Sequence, residues 1–352
     1  MAEYKYHEDI NKQNILKMRA VVDTLPSFCK TYFLGIAEYT SPRTRLAYAY
    51  DLRVFFEYMH ENNAICKKME IINYDLDLLE HIAKEDLEEF LNYISFYTKD
   101  GKEVTNDERG KSRKLSAIKS LYHYFYISEK ITMNPAALVR MPKLHEKEII
   151  KLEPNEVAAL LDLVESGDKL TDKELSYHKK TKVRDIAILT LLLGTGIRVS
   201  ECVGLDLKDV DFSIGGIRII RKGGYEAVIY FGDEVEIALL DYIEQRECMI
   251  SIEGHEDALF LSMQNKRIGV RAIEKLVKKY ASRVTALKKI TPHKLRSTYG
   301  TALYQETGDI YLVADVLGHK DVNTTRKHYA AQADARRRSA ANKVRLRNEL
   351  EE

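Results

Sequence analysis

The sequence predicts a mainly α-helical protein of two domains, with a small β-sheet or hairpin set into the second. Three observations predict it. The 352 residues exceed one average domain and leave room for two apolar cores. Hydrophobic residues make up 45% and charged residues 31%, with only 6 Pro and 17 Gly, the profile of a folded, helix-rich chain. Apolar residues recur at helical spacing along most of the chain and change to a period of two once, around residues 217–230.

Composition also sets exclusions. No segment approaches the roughly 20 apolar residues that span a bilayer, and residues 1–10 hold no apolar run of signal-peptide kind, so a cytoplasmic protein without membrane contact is expected. Cys29, Cys66, Cys202 and Cys248 lack Cys-x-x-Cys spacing, so they read as reduced thiols rather than zinc ligands or a disulfide framework. The net charge of +1 hides segregation: residues 266–289 hold nine Lys/Arg against one acid, Glu274. Local charge is what a phosphate backbone meets.

Ser41-Pro42 is an N-cap followed by a first-turn proline, and Leu52, Phe55, Phe56 and Met59 follow at helical spacing. Arg43, Arg45 and Arg53 fall on other faces. A second amphipathic helix begins near Arg109 and aligns Leu115, Ile118, Leu121, Tyr122 and Phe125 behind a basic opening that includes Lys111, Arg113 and Lys114. Each basic cluster alone reads as a solvated face; two within one helical segment favour a surface that grips DNA. The polar residues 99–106 between them read as a loop. Asn134-Pro135 and Met141-Pro142 flank a short helix, and a linker is placed at 145–151.

A helix restarts at Glu153-Pro154. Residues 165–182 are strongly polar and read as a mobile insertion or a pair of surface helices, contacting a partner subunit or DNA or only covering surface. Residues 184–193 form a nearly all-apolar helix ended by Gly194, the predicted core of the second domain. Ile217 and Ile219 alternate on one side of a turn at Lys222-Gly223-Gly224, with Val228 and Tyr230 beyond it; this is the one confident β-hairpin. Helices are expected over 234–246 and 269–287, and a basic tail runs from Arg336 to Arg347.

Four separated features could carry chemistry: Arg198 with Glu201 after a glycine break, Lys222 at the hairpin tip, His293 with Arg296, and Leu317-Gly318-His319 followed by His328 and Tyr329. Each has an ordinary explanation alone. Arg198 and Glu201 pair at i, i+3, His293 and Arg296 share a polar helix face, and a turn lysine is solvated. Their order and spacing together resemble the tyrosine recombinase, or phage-integrase, family of Xer-like site-specific recombinases. The resemblance sets residues 25–144 against the family's helical core-binding domain and 152–341 against its catalytic domain, with a 1–24 extension and a 342–352 tail.

The resemblance implies a two-domain C-shaped clamp around duplex DNA, in which Arg198, Arg296 and His319 hold the scissile phosphate and Tyr329 attacks it. Planar guanidinium groups suit the charge that accumulates on non-bridging oxygens. Lys222 matches the lysine that protonates the leaving 5′ oxygen. His293 matches the residue that assists proton removal from the tyrosine, or positions it by a hydrogen bond. Glu201 orients Arg198 or His293. No metal and no cofactor is implied. A 3′-phosphotyrosyl link, a Holliday junction and four protomers on two specific DNA sites are, together with a C-terminal segment exchanged between protomers or lying on its own subunit or on DNA. Arg43, Arg45, Lys111, Arg113, Lys114, Lys275, Lys278, Lys279 and Arg283 are the candidate DNA contacts. The sequence departs from the family in one spacing. Tyr329 lies ten residues after His319, where nine is usual and falls on His328, a rotation of about 100° on a helix. No other tyrosine follows His319, so Tyr329 is assigned as nucleophile. A DNA-binding protein without catalysis and a type IB topoisomerase are the alternatives.

Overall fold

The computed structural model describes residues 5–99, 101–145, 149–221, 224–319 and 321–322. They belong to two compact units that divide between Lys147 and Glu148.

The first unit is built from α1 (Lys5–Val22), α2 (Phe28–Gly35), α3 (Pro42–Asn62), α4 (Leu78–His81), α5 (Lys84–Tyr93), the strands β1 (Phe96–Lys99) and β2 (Lys102–Thr105), α6 (Glu108–Ile127) and α7 (Pro135–Leu138). The Ser41 side chain caps α3 by accepting from the Thr44 backbone N–H at 3.3 Å, and Pro42 opens the first turn. Asp107 caps α6 in the same way, accepting from Gly110 N–H at 3.0 Å. The expected stripes, Leu52, Phe55, Phe56 and Met59 on α3 and Leu115, Ile118, Leu121, Tyr122 and Phe125 on α6, are all buried. Phe28 of α2 closes over them edge-on, 6.0 Å from the Phe56 ring and 5.8 Å from Phe125.

The segment 99–106, read as a loop, instead contributes to a hairpin in which Phe96 pairs with Thr105 and Lys99 with Lys102. The Asp-Gly pair between the strands is a strong hairpin signal, masked by the polar side chains around it.

Lys114, expected at a DNA-facing surface, is 6% exposed. Its ammonium donates to Asn106 Oδ1 at 2.8 Å and lies 3.8 Å from Asp51, which Arg113 also contacts. Burial pushes the Asp51 carboxyl up to about 6 against the opposing pull of Arg113 and Lys114, and pushes Lys114 below its ordinary value. A raised folded-state value stabilises the fold fully below the unfolded value near 4, and this contribution is lost as pH rises through about 6. The stability of the wild type relative to Asp51→Asn is expected to fall by about 2–3 kcal/mol between pH 4 and 7, measured by urea unfolding. A flat difference across that range would remove the burial argument.

The second unit comprises α8 (Pro154–Ser166), α9 (Asp172–Thr195), α10 (Val199–Gly204), the strands β3 (Val210–Asp211), β4 (Gly216–Ile220) and β5 (Glu226–Tyr230), α11 (Asp233–Glu247), α12 (Val270–Val284), α13 (Pro292–Thr307) and α14 (Ile310–Leu317). The polar stretch 165–182 is not an insertion apart from the core. From Asp172 it is the first half of α9, started by Thr171, whose hydroxyl accepts from Glu174 N–H while its own N–H donates to the Glu174 carboxylate at 2.9 Å. One helix thus changes from a solvated half to a buried half carrying Ile188, Leu189, Leu191 and Leu192. Gly194 does not end it. A β-carbon there would lie 2.4 Å from Val235 Cγ2, so glycine lets α11 approach α9.

The three strands pair antiparallel in the order β3-β4-β5. Ile217 sits opposite Ile229, so these two share the buried face, while Val228 and Tyr230, the alternating pair read from the sequence, are exposed at 43% and 68%. Cross-strand partners share a face, and residue 229 rather than its neighbours is the partner.

Candidate active site

Helix α9 ends on Gly196, whose φ of 63° is left-handed. A β-carbon on Gly196 would lie 2.4 Å from the Tyr299 ring and 3.0 Å from Leu317. The chain then turns through Ile197, and Arg198 caps α10 in extended conformation. Glu201, one turn on and 5% exposed, accepts from the Arg198 backbone N–H through Oε2 and from its Nη1 through Oε1, both at 2.7 Å. A buried carboxylate that holds one arginine at two points fixes the direction of its guanidinium. Of the two partners expected for Glu201, Arg198 is held by it through both carboxylate oxygens.

Arg296 extends from the second turn of α13, opened by Pro292 at its first position. It is 5% exposed, donating through Nη1 to Gly196 O at 2.7 Å and through Nη2 to Leu317 O. His293, one turn earlier on α13, is exposed.

Helix α14 ends in a Schellman motif on Gly318, φ 61°: Gly318 N–H donates to Asp315 O at 2.8 Å and His319 N–H to Ala314 O at 2.9 Å. Arginines from three other elements donate to the carbonyls of this last turn, sharing Asp315 O with the motif and taking the three that it leaves over. Arg221, which follows β4, donates to Asp315 O at 2.9 Å and Val316 O at 2.7 Å. Arg296 takes Leu317 O, and Arg198 Nη2 takes Gly318 O at 3.1 Å. Cations at the C-terminal end of a helix also meet the negative pole of its dipole. Burial pulls Arg221 below its ordinary value, with Glu201 opposing and Arg198 adding to the shift.

The fold therefore brings Arg198, Glu201, Arg296 and the His319 backbone together and adds Arg221, which sequence reasoning missed. Its only sequence signal is a second basic residue beside the hairpin lysine. Lys222, His328 and Tyr329 lie outside the described residues. Among the candidate DNA contacts, Arg43, Arg113, Lys275 and Lys278 are exposed, Lys111 and Arg45 half-buried, and Lys114 buried. Arg283 is committed within the unit, bonding both Glu174 carboxylate oxygens at 2.6 and 2.7 Å and Lys169 O at 3.0 Å. Lys279 stands 4.3 Å over the Tyr280 ring. Arg283 thus fastens α12 to α9 through Glu174, while Lys279 lies against its neighbour on the same helix; a linear charge run reveals neither use. Among the described residues, no group of three or more His, Cys, Asp or Glu is placed to hold a metal ion.

Residues 151–336 match the phage integrase family. The chain is 34% identical over 320 residues to tyrosine recombinase XerC of Caldanaerobacter subterraneus subsp. tengcongensis, covering 88% of this chain and 83% of the relative. It is 30% identical over 294 residues to tyrosine recombinase XerD of Staphylococcus epidermidis, covering 83% and 89%. In fold it is similar to XerH site-specific recombinase bound to a palindromic difH substrate, with a TM-score of 0.63 at 21% identity over 82% of this chain and 76% of that one. The Tn1549 transposon integrase in complex with circular intermediate DNA gives 0.62 at 20% identity over 88% and 99%. The chain belongs to the phage integrase family. Within that family it is a tyrosine recombinase of the Xer-like kind.

Proposed function

We propose that the chain binds duplex DNA at a specific recombination site and cleaves and rejoins its strands with Tyr329 as nucleophile. The observation that carries this reading is the convergence of Arg198 and Arg296 on one helix end beside His319. Guanidinium groups fixed before substrate arrives do not need to reorganise as charge builds on the phosphate. The Tyr329 oxygen forms a bond to phosphorus as the bond to the 5′ oxygen breaks, giving a 3′-phosphotyrosyl ester. His293 assists loss of the phenolic proton, Lys222 returns one to the leaving oxygen, and Glu201 keeps Arg198 in direction. A 5′ hydroxyl from a partner strand reverses the attack. Because the ester is conserved, the reaction draws no energy from ATP.

In this reading residues 25–144 and 152–341 are the core-binding and catalytic domains, joined by 145–151 and flanked by 1–24 and 342–352. Arg43, Lys111, Lys275 and Lys278 contact phosphates. Four protomers assemble on two sites in the cytoplasm and pass through a Holliday junction; no helix among the described residues is long and apolar enough to cross a membrane.

The test is a nicked suicide duplex bearing a site selected from a random-sequence library, followed by denaturing electrophoresis. Wild type and His328→Ala are expected to form a covalent protein–DNA adduct and Tyr329→Phe none. An adduct with Tyr329→Phe would end this assignment, and loss only with His328→Ala would move it to the nine-residue register.

A further inference from the structure

We propose that Arg221 is a positioning residue for strand cleavage, holding the end of β4 against the last turn of α14 so that Gly318 and His319 keep their place beside Arg198 and Arg296. This rests on the reading of the site given above. Two geometric facts support it. The Arg221 fork spans successive carbonyls, at 2.9 Å to Asp315 O and 2.7 Å to Val316 O, while Arg296 and Arg198 take the next two. The same guanidinium occupies the space over Gly318, where a β-carbon would lie 2.2 Å from Arg221 Nη1. Glycine in Leu317-Gly318-His319 is thus required twice, by its left-handed φ of 61° and by this contact.

The Schellman bonds already satisfy Ala314 and Asp315, so the consequence of losing Arg221 is specific. Val316 O loses its donor, and Gly318 loses the group packed over it. A lysine offers a tetrahedral point charge that cannot span two carbonyls in a planar fork. If Arg221 acts through the end of α14, its effect must depend on the group displayed there.

The experiment is a double-mutant cycle on single-turnover cleavage of the nicked site, with DNA affinity and thermal melting measured in parallel. Arg221→Ala is expected to slow cleavage about 30-fold while the Kd for DNA changes less than about threefold. In a His319→Ala background the same substitution is expected to cost less than about threefold, because interacting groups are not additive. Arg221→Lys is expected to recover little of the rate, whereas a purely electrostatic role predicts substantial recovery. Wild-type cleavage by Arg221→Ala, or an equal cost in both backgrounds, overturns the proposal. Wild-type cleavage by His319→Ala overturns instead the underlying reading of the site. Should Arg221→Ala fail to fold, Arg221→Gln, which keeps one amide donor, is run through the same cycle with the same criteria.

Discussion

Arg296→Ala is expected to lower the single-turnover cleavage rate about a thousandfold, the upper range for removal of one preorganised donor to developing charge. Its effect on stability should be separable. Arg296 is 5% exposed and satisfies the carbonyls of Gly196 and Leu317, so truncation leaves both without that donor inside the unit. Each unsatisfied buried carbonyl costs about 1–3 kcal/mol, so a further loss of about 2–5 kcal/mol is expected from thermal or denaturant unfolding. Arg296→Lys distinguishes the two contributions. Its ammonium restores a positive charge and can reach one carbonyl, so stability should recover in part while the rate stays far below wild type. Cleavage by Arg296→Ala within tenfold of wild type would show that Arg296 supports the fold and not the chemistry.

Gly196→Ala is expected to have the largest effect on stability among the glycines of the site. Alanine at φ 63° costs about 1–2 kcal/mol in backbone strain. The added methyl meets the Tyr299 ring at 2.4 Å and Leu317 at 3.0 Å, and overpacking of that kind costs a further 1–3 kcal/mol or so. A melting point lower by about 5–15 °C follows for a unit of this size. Because the Gly196 carbonyl is also an anchor of Arg296, the rate should fall with it. Adding Tyr299→Ala should return the steric part but not the backbone part. A melting point unchanged by Gly196→Ala would refute the packing argument.

How far these features could be read in advance depended on whether the physical cause was local. Caps such as Ser41-Pro42 and the stripes on α3 and α6 depend on neighbours within a few residues, and they were legible. The ordered set Arg198, Glu201, Arg296 and Leu317-Gly318-His319 was legible by another route, its resemblance in order and spacing to the tyrosine recombinase family, while the distant carbonyls that hold it, such as Gly196 O 100 residues before Arg296, were not. What was hidden depended on distant partners. Lys114 looks like surface charge until Asp51, 63 positions earlier, is placed beside it on α3. Arg283 looks like a phosphate contact until α9 presents Glu174, 109 residues away in sequence. Arg221 looks like the companion of a turn lysine until α14 offers its carbonyls. The polar half of α9 was misread because periodicity reports which face is buried, and a solvated half-helix buries little.

The arrangement of α14 also bears on synthesis. Its terminal carbonyls are the common acceptors for Arg198, Arg221 and Arg296, and 120 residues separate Arg198 from Gly318. A chain that emerges from the ribosome N-terminus first cannot give these arginines their partners until α14 has been made. The cluster is therefore completed late in translation, and a nascent or truncated chain that still lacks α14 holds these arginines without their common acceptors.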